Sequence, residues 1–309
     1  MGQTLRHEPH ELATDAPDTT RFRMNSTRPD FRAPVRIGAV SYLNSKPLVE
    51  GLEQDLAKSE TPTELVLDFP SRLAGDLAAG RLDVALVPSI ECLRNADYEI
   101  VTDACVATRG PVLSVKLYSR VPIPDITSLA LDEGSRTSAT LARILLAEKH
   151  GLYPLLEPLP LGRSVDATTA DAILVIGDRA MHQFDEPFVE TWDLGAVWSQ
   201  WTGLPFVFAA WAARRDTDLG DTETALVSAR NRGVTELESI AARESRELGI
   251  PAATASDYLH NNLHFHLGPA EHQGLLLFQR LAIAQDLADA SVDLAFRGHP
   301  QATTLAGRS

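Results

Sequence analysis

Cysteine is nearly missing: Cys92 and Cys105 are the only two in 309 residues. They form neither the Cys-x-x-Cys spacing of redox motifs nor a multi-cysteine zinc pattern, and fit reduced thiols in a cytoplasmic protein. No run of about 18 uncharged apolar residues occurs, so no membrane-spanning helix is expected. The first 33 residues scatter His7, Glu8, Asp15 and Arg21 among Thr and Pro, lack the apolar stretch of a secretory signal, and are expected to be a disordered leader. Basic charge is short as well. The balance of 28 Lys and Arg against 42 Asp and Glu leaves a net charge of -14. Such a field repels phosphate backbones and anionic lipid, which argues against nucleic acid or a membrane surface as a partner. An anionic metabolite would need local donors to overcome the same sign. Glycine-rich cofactor loops are missing too. Without a Walker loop, a dinucleotide fingerprint, a Gly-x-Ser-x-Gly elbow or a His-Glu-x-x-His pair, nucleotide, serine-hydrolase and zincin chemistry lose support, and no metal or cofactor is expected.

What is present is ordinary globular material, 44% hydrophobic and 23% charged, of a length that favours about two domains. From Val35 a β-type run breaks at Asn44-Ser45-Lys46-Pro47 and continues as a helix start. Leu65 to Phe69 reads as a strand, followed by a helix capped by Ser71 and stopped at Gly80. Leu82 to Val87 reads as a buried strand ending at Pro88-Ser89, and this alternation predicts a parallel α/β sheet. Val112 to Tyr118, Leu129 to Leu131 and Ala172 to Ile176 add strands. The sharpest helix begins at Ser135, carries Leu141, Ile144 and Leu145, and ends at Gly151. Leu204 to Trp211 reads as a return strand, and Asp221 to about Ala290 is helical in period. The expected divisions are a leader at 1–33, a first lobe at 34–115 and 206–290, an inserted second lobe at 116–205, and a tail at 291–309. The cleft between the lobes is the natural ligand site.

Several residues stand where chemistry would need them. Asp132-Glu133-Gly134-Ser135-Arg136-Thr137-Ser138 is a strand end feeding a hydroxyl-rich helix start, where free N–H groups and the helix dipole favour an anion. Arg136 in that first turn opposes the dipole by roughly 0.3–1 kcal/mol unless something negative lies beside it. A bound carboxylate would remove the conflict, as would Glu133 or Asp132. Asn44, Ser89 and Asp178 each follow an apolar strand, and would face one cleft in a parallel sheet or serve only as helix caps. Gly110, between Arg109 and Pro111, lets backbone approach a ligand or makes a plain turn. His260, His264, His266 and His272 cluster, but no acidic or Cys ligand stands at a recognised spacing, so the segment reads as a surface helix end.

Val40-Ser-Tyr-Leu-Asn-Ser-Lys-Pro-Leu48, Gly110-Pro-Val-Leu-Ser114, Ser135-Arg-Thr-Ser138 and Ile176-Gly-Asp178, taken in order, resemble the chorismate dehydratase family of the futalosine route to menaquinone. The resemblance runs from about Arg36 to Leu281. It implies an α/β, two-lobed fold like the type 2 periplasmic binding proteins, with the ligand clamped between the lobes. It also implies loss of water from chorismate without metal or cofactor. Asn44 and Ser114 fall on the family's catalytic positions. Ser135, Arg136, Thr137 and Ser138 match its carboxylate-binding segment, with Ser89, Gly110 and Asp178 as further substrate contacts. The proton acceptor is left between the substrate's own second carboxylate, Glu133 and Asp178. Two other readings share the fold: a non-catalytic carboxylate binder or sensor, and the sister 1,4-dihydroxy-6-naphthoate synthase. The latter opens with a Ser-Pro-x-Pro-Asn type turn, absent here.

Overall fold

The computed structural model describes residues 33–297. The expected leader, apart from Ala33, and the tail beyond Arg297 lie outside the described residues. The strands are β1 (Val35–Val40), β2 (Thr63–Asp68), β3 (Val84–Pro88), β4 (Tyr98–Thr108), β5 (Val115–Ser119), β6 (Ser128–Asp132), β7 (Leu155–Leu159), β8 (Ala172–Ile176), β9 (Glu190–Asp193), β10 (Phe206–Arg214) and β11 (His264–His266). The α-helices are α1 (Lys46–Val49), α2 (Leu52–Leu56), α3 (Pro70–Ala78), α4 (Ser89–Cys92), α5 (Arg136–His150), α6 (Leu194–Thr202), α7 (Thr222–Thr235), α8 (Leu237–Leu248), α9 (Ala252–Asp257) and α10 (Pro269–Ala284).

Two sheets organise the chain. The first runs β11-β4-β10-β3-β1-β2 and the second β7-β6-β8-β5-β9. The crossings between them fall between Thr108 and Val115 and between Asp193 and Phe206. The three strands read as a parallel sheet pair that way, β1 with β2 and with β3, while β10 runs antiparallel to both β3 and β4 and makes the first sheet mixed. β10 returns from the second sheet and lies between β3 and β4. β3 and β8 are buried at every residue, as central strands read from sequence as continuous apolar runs should be.

β4, the longest strand, was invisible in the sequence because Thr102-Asp103 interrupts its apolar run. Asp103 is there to take Arg230 at 2.9 Å and His266 at 3.0 Å. The C-terminal third is not all helix either. A π-helical turn, Tyr258–Asn262, and β11 separate α9 from α10, so His264 and His266 lie on an edge strand and not on a helix end. Ser71 sits inside α3, whose first turn begins at Pro70 after Phe69, and so does not cap it. Near the end of the described chain Arg297 bonds Glu99 and Glu223, tying this segment to the first sheet.

α5 follows its sequence signals throughout. The Ser135 hydroxyl accepts the Ser138 N–H at 3.2 Å, Leu141, Ile144 and Leu145 are wholly buried, and Gly151 closes the helix at φ 67°. Each of those side chains contributes about 1.5–3 kcal/mol by leaving water. This anchors the end of the helix that matters for function.

Candidate active site

The first lobe brings its motif to the cleft through β1. After Val40 the chain stays extended at Tyr42 and then tightens into a single turn over Leu43–Ser45, with buried Pro47 in the first turn of α1. Leu43 plugs the core, which turns Asn44 toward the cleft. The Ser45 hydroxyl donates to Asn44 Oδ1 at 2.8 Å and so fixes which end of the carboxamide carries the N–H groups.

Ser114 is held by a clamp the sequence did not announce. Val112 to Ser114 was expected to begin a strand, but β5 starts only at Val115, because Leu113 lies in the left-handed region at φ 63°. That conformation costs a non-glycine residue roughly 1–2 kcal/mol. The Asp193 carboxylate offsets it by accepting Val112 N–H at 2.9 Å and Leu113 N–H at 2.7 Å, and it also caps α6 through Ala196 N–H at 3.0 Å. From the other side Gly177 N–H donates to the Ser114 carbonyl at 2.9 Å. Behind Ser114, the fully buried Tyr258 donates its phenol O–H to Ser114 Oγ at 2.7 Å.

The start of α5 supplies the facing wall. Ser135 and Ser138 line the cleft and share a 2.8 Å hydrogen bond. Thr137 turns the opposite way, accepting Ile90 N–H at 3.2 Å beside the buried Ser89, whose hydroxyl donates to the Val207 carbonyl at 2.7 Å. Ser89 and Thr137 therefore join α5 to α4 and do not line the cleft. Arg136 does not line it either. Its guanidinium donates to Glu91 at 3.1 Å, so the dipole conflict noted in the sequence is relieved by a protein carboxylate on α4, not by Glu133 or Asp132. Glu133 is exposed, and Asp132 accepts Gly134 N–H and pairs with Arg179. Gly110 lies in the turn after β4, where Thr108 Oγ1 donates to its carbonyl, outside the cleft lining.

Asp178 stands just behind the wall. Its carboxylate accepts Leu43 N–H at 3.2 Å across the cleft, and burial pushes its pKa up to about 6. Gly177 beside it has φ 71°, and a Cβ there would meet the Tyr42 ring at 3.0 Å. Only glycine lets Tyr42 lie against this turn.

The walls stand close together and leave a cavity of about 50 Å³, below the about 300–1,000 Å³ usual for small-ligand sites. Val40, Val106, Val112, Ile176 and Phe208 form the apolar part, and Asn44, Ser45, Ser114, Ser135 and Ser138 the polar part. Among the described lining residues the one titratable group is Tyr42, whose phenol is pushed up by burial and stays neutral. No group of three or more His, Cys, Asp or Glu among the described residues is disposed to hold a metal ion.

A family model described as menaquinone biosynthesis matches residues 35–284. The chain belongs to that family. A chorismate dehydratase of Thermus thermophilus is 34% identical over 263 residues, covering 79% of this chain and 94% of its own. Among solved structures, a protein of Archaeoglobus fulgidus aligns with TM-score 0.67 at 16% identity over 82% of this chain and 98% of its own. The alkanesulfonate-binding protein of Xanthomonas axonopodis pv. citri aligns at 0.59 and 19%, covering 84% and 96%. This member of the menaquinone biosynthesis family thus has the two-lobed fold of the periplasmic binding proteins. Sequence reasoning missed Tyr258, Asp193 and Glu91, each far along the chain from the motif it serves and none carrying a motif of its own.

Proposed function

We propose that this chain removes water from chorismate to give 3-(1-carboxyvinyloxy)benzoate, as a step of the futalosine route to menaquinone in the cytoplasm. What carries the reading is the make-up of the cleft, in which the polar wall consists of uncharged amide and hydroxyl groups and the described lining offers no carboxylate, imidazole or amine. Most dehydrations need a protein acid and base. This one does not. The hydrogen to be lost sits on the ring carbon bearing the enolpyruvyl ether and is vinylogous to the ring carboxylate. The electron pair left by deprotonation spreads through the ring onto that carboxylate, and hydroxide then leaves the neighbouring carbon as the ring becomes aromatic. The substrate's enolpyruvyl carboxylate takes the proton, which departs with the hydroxide as water.

The protein's part is placement and stabilisation of developing charge. The Ser138 hydroxyl, which accepts from Ser135 behind it, and the Arg136 and Thr137 N–H groups in the first turn of α5, which have no intrahelical acceptor, hold one carboxylate. Asn44 and Ser114 orient the enolpyruvyl arm and donate to oxygens whose charge grows in the transition state. The apolar wall excludes water and strengthens each of these bonds. Asp178 serves as a tie to Leu43 and not as the base.

Pure protein incubated with chorismate is expected to develop the absorbance of an aromatic carboxylate. Asn44→Ala and Ser114→Ala are each expected to lower kcat by about 100-fold, the usual cost of one transition-state donor. A binding or sensor protein would retain chorismate unchanged. Wild-type turnover in both variants would reject the two assignments.

A further inference from the structure

We propose that Tyr258 is a positioning residue that fixes the Ser114 hydroxyl as a hydrogen-bond donor into the cleft. The inference rests on the dehydratase reading and deepens it. Tyr258 and Ser114 form a short file whose donors point the same way, beside a second pair in which Ser45 O–H donates to Asn44 Oδ1 at 2.8 Å. The Tyr258 O–H donates to Ser114 Oγ at 2.7 Å. A hydroxyl that accepts from behind keeps its own proton free to give forward, so the file ends at Ser114 with a donor facing the substrate. Each bond in such a chain polarises the next, which makes the last donor stronger than an isolated serine.

The position of Tyr258 supports this role. It is 0% exposed, so its hydroxyl does not compete for substrate or water. Burial raises its pKa, and Ser114 and Asn44 lower it by less, so the phenol keeps its proton across the working range. It sits at the first residue of the π-helical turn Tyr258–Asn262, a local irregularity of a kind frequent at functional sites. From there it reaches the crossing that holds Ser114, 144 residues earlier in the chain. The same file excludes Ser114 as a base, since no acceptor remains behind it to take its proton.

Tyr258→Phe removes the hydroxyl and keeps the ring. The expected result is a kcat lower by about 10- to 100-fold with KM unchanged within about two-fold, because the lost donation matters most as charge develops. The double variant Tyr258→Phe/Ser114→Ala is expected to be no slower than Ser114→Ala alone, since Tyr258 acts only through Ser114. A merely structural tyrosine would give losses that multiply. Should Tyr258→Phe fail to fold, 3-fluorotyrosine placed at position 258, a stronger donor of nearly the same shape, is expected to raise kcat at unchanged KM. Wild-type kcat in Tyr258→Phe, multiplying losses, or no response to fluorine would each overturn the inference while wild-type protein still converts chorismate. A wild type that leaves chorismate untouched would instead overturn the dehydratase reading, and this role with it.

Discussion

Asp178 shows how one half-buried carboxyl can tie two lobes together at a cost. Its pKa is raised to about 6 from an ordinary 3.8, chiefly by burial, with the Leu43 N–H and Lys46 opposing. A carboxyl raised on folding binds its proton more tightly in the native state than in the unfolded one. Its contribution to stability is therefore full below its unfolded pKa and is lost as pH rises through about 6. The shift amounts to an upper bound of about 3 kcal/mol at neutral pH. Asp178→Asn keeps an oxygen for Leu43 N–H and removes the charge. The variant is expected to be more stable than wild type at about pH 7.5, by about 1–3 kcal/mol, and to lose that advantage near pH 4. Denaturant midpoints at the two pH values check this. An equal difference at both would mean that burial does not penalise the Asp178 charge.

The elements that support the site divide by how far away their causes lie. α5 was legible because everything that makes it is local: the Ser135 cap, the Leu141, Ile144 and Leu145 stripe, and the Gly151 stop. Its two cleft serines were legible for the same reason. Arg136 was misplaced because its partner, Glu91, lies on another helix 45 residues earlier, and nothing in the spacing of either announces the pair. β4 leaves no readable run, and the Ser114 loop departs from its expected strand, for the same reason, since Arg230 and Asp193 shape them from 127 and 80 residues away. The Ser114 loop offers a test of that long-range cause. Asp193→Ala removes a helix cap worth about 0.5–2 kcal/mol and releases the strained Leu113. Stability is expected to fall by about 2 kcal/mol, and kcat by at least about 10-fold as Ser114 loses its orientation. Thermal unfolding and turnover on the same sample separate the two effects. A destabilised variant with undiminished kcat would show that Gly177 and Tyr258 hold Ser114 without help from Asp193.

For the whole molecule the question is how a chain of net charge -14 handles a substrate with two carboxylates. A local cation would usually overcome such a field, and Arg136 was the sequence's candidate. In the structure its charge is answered by Glu91, and the described cleft lining contains no Lys or Arg. Recognition then falls to hydrogen bonds, which act only at contact, while the acidic surface acts at a distance of about a Debye length, 8–10 Å at moderate salt. The approach of a dianion is therefore opposed until it is already in the cleft. Added salt screens the opposition and leaves the buried bonds nearly untouched. For chorismate, kcat/KM is expected to rise several-fold between about 10 and 150 mM sodium chloride while kcat stays level. That is the reverse of electrostatically steered enzymes, whose association weakens with salt. A kcat/KM that fell over the same range would mean that the start of α5 and Arg136 project enough positive potential from the mouth to outweigh the rest of the molecule.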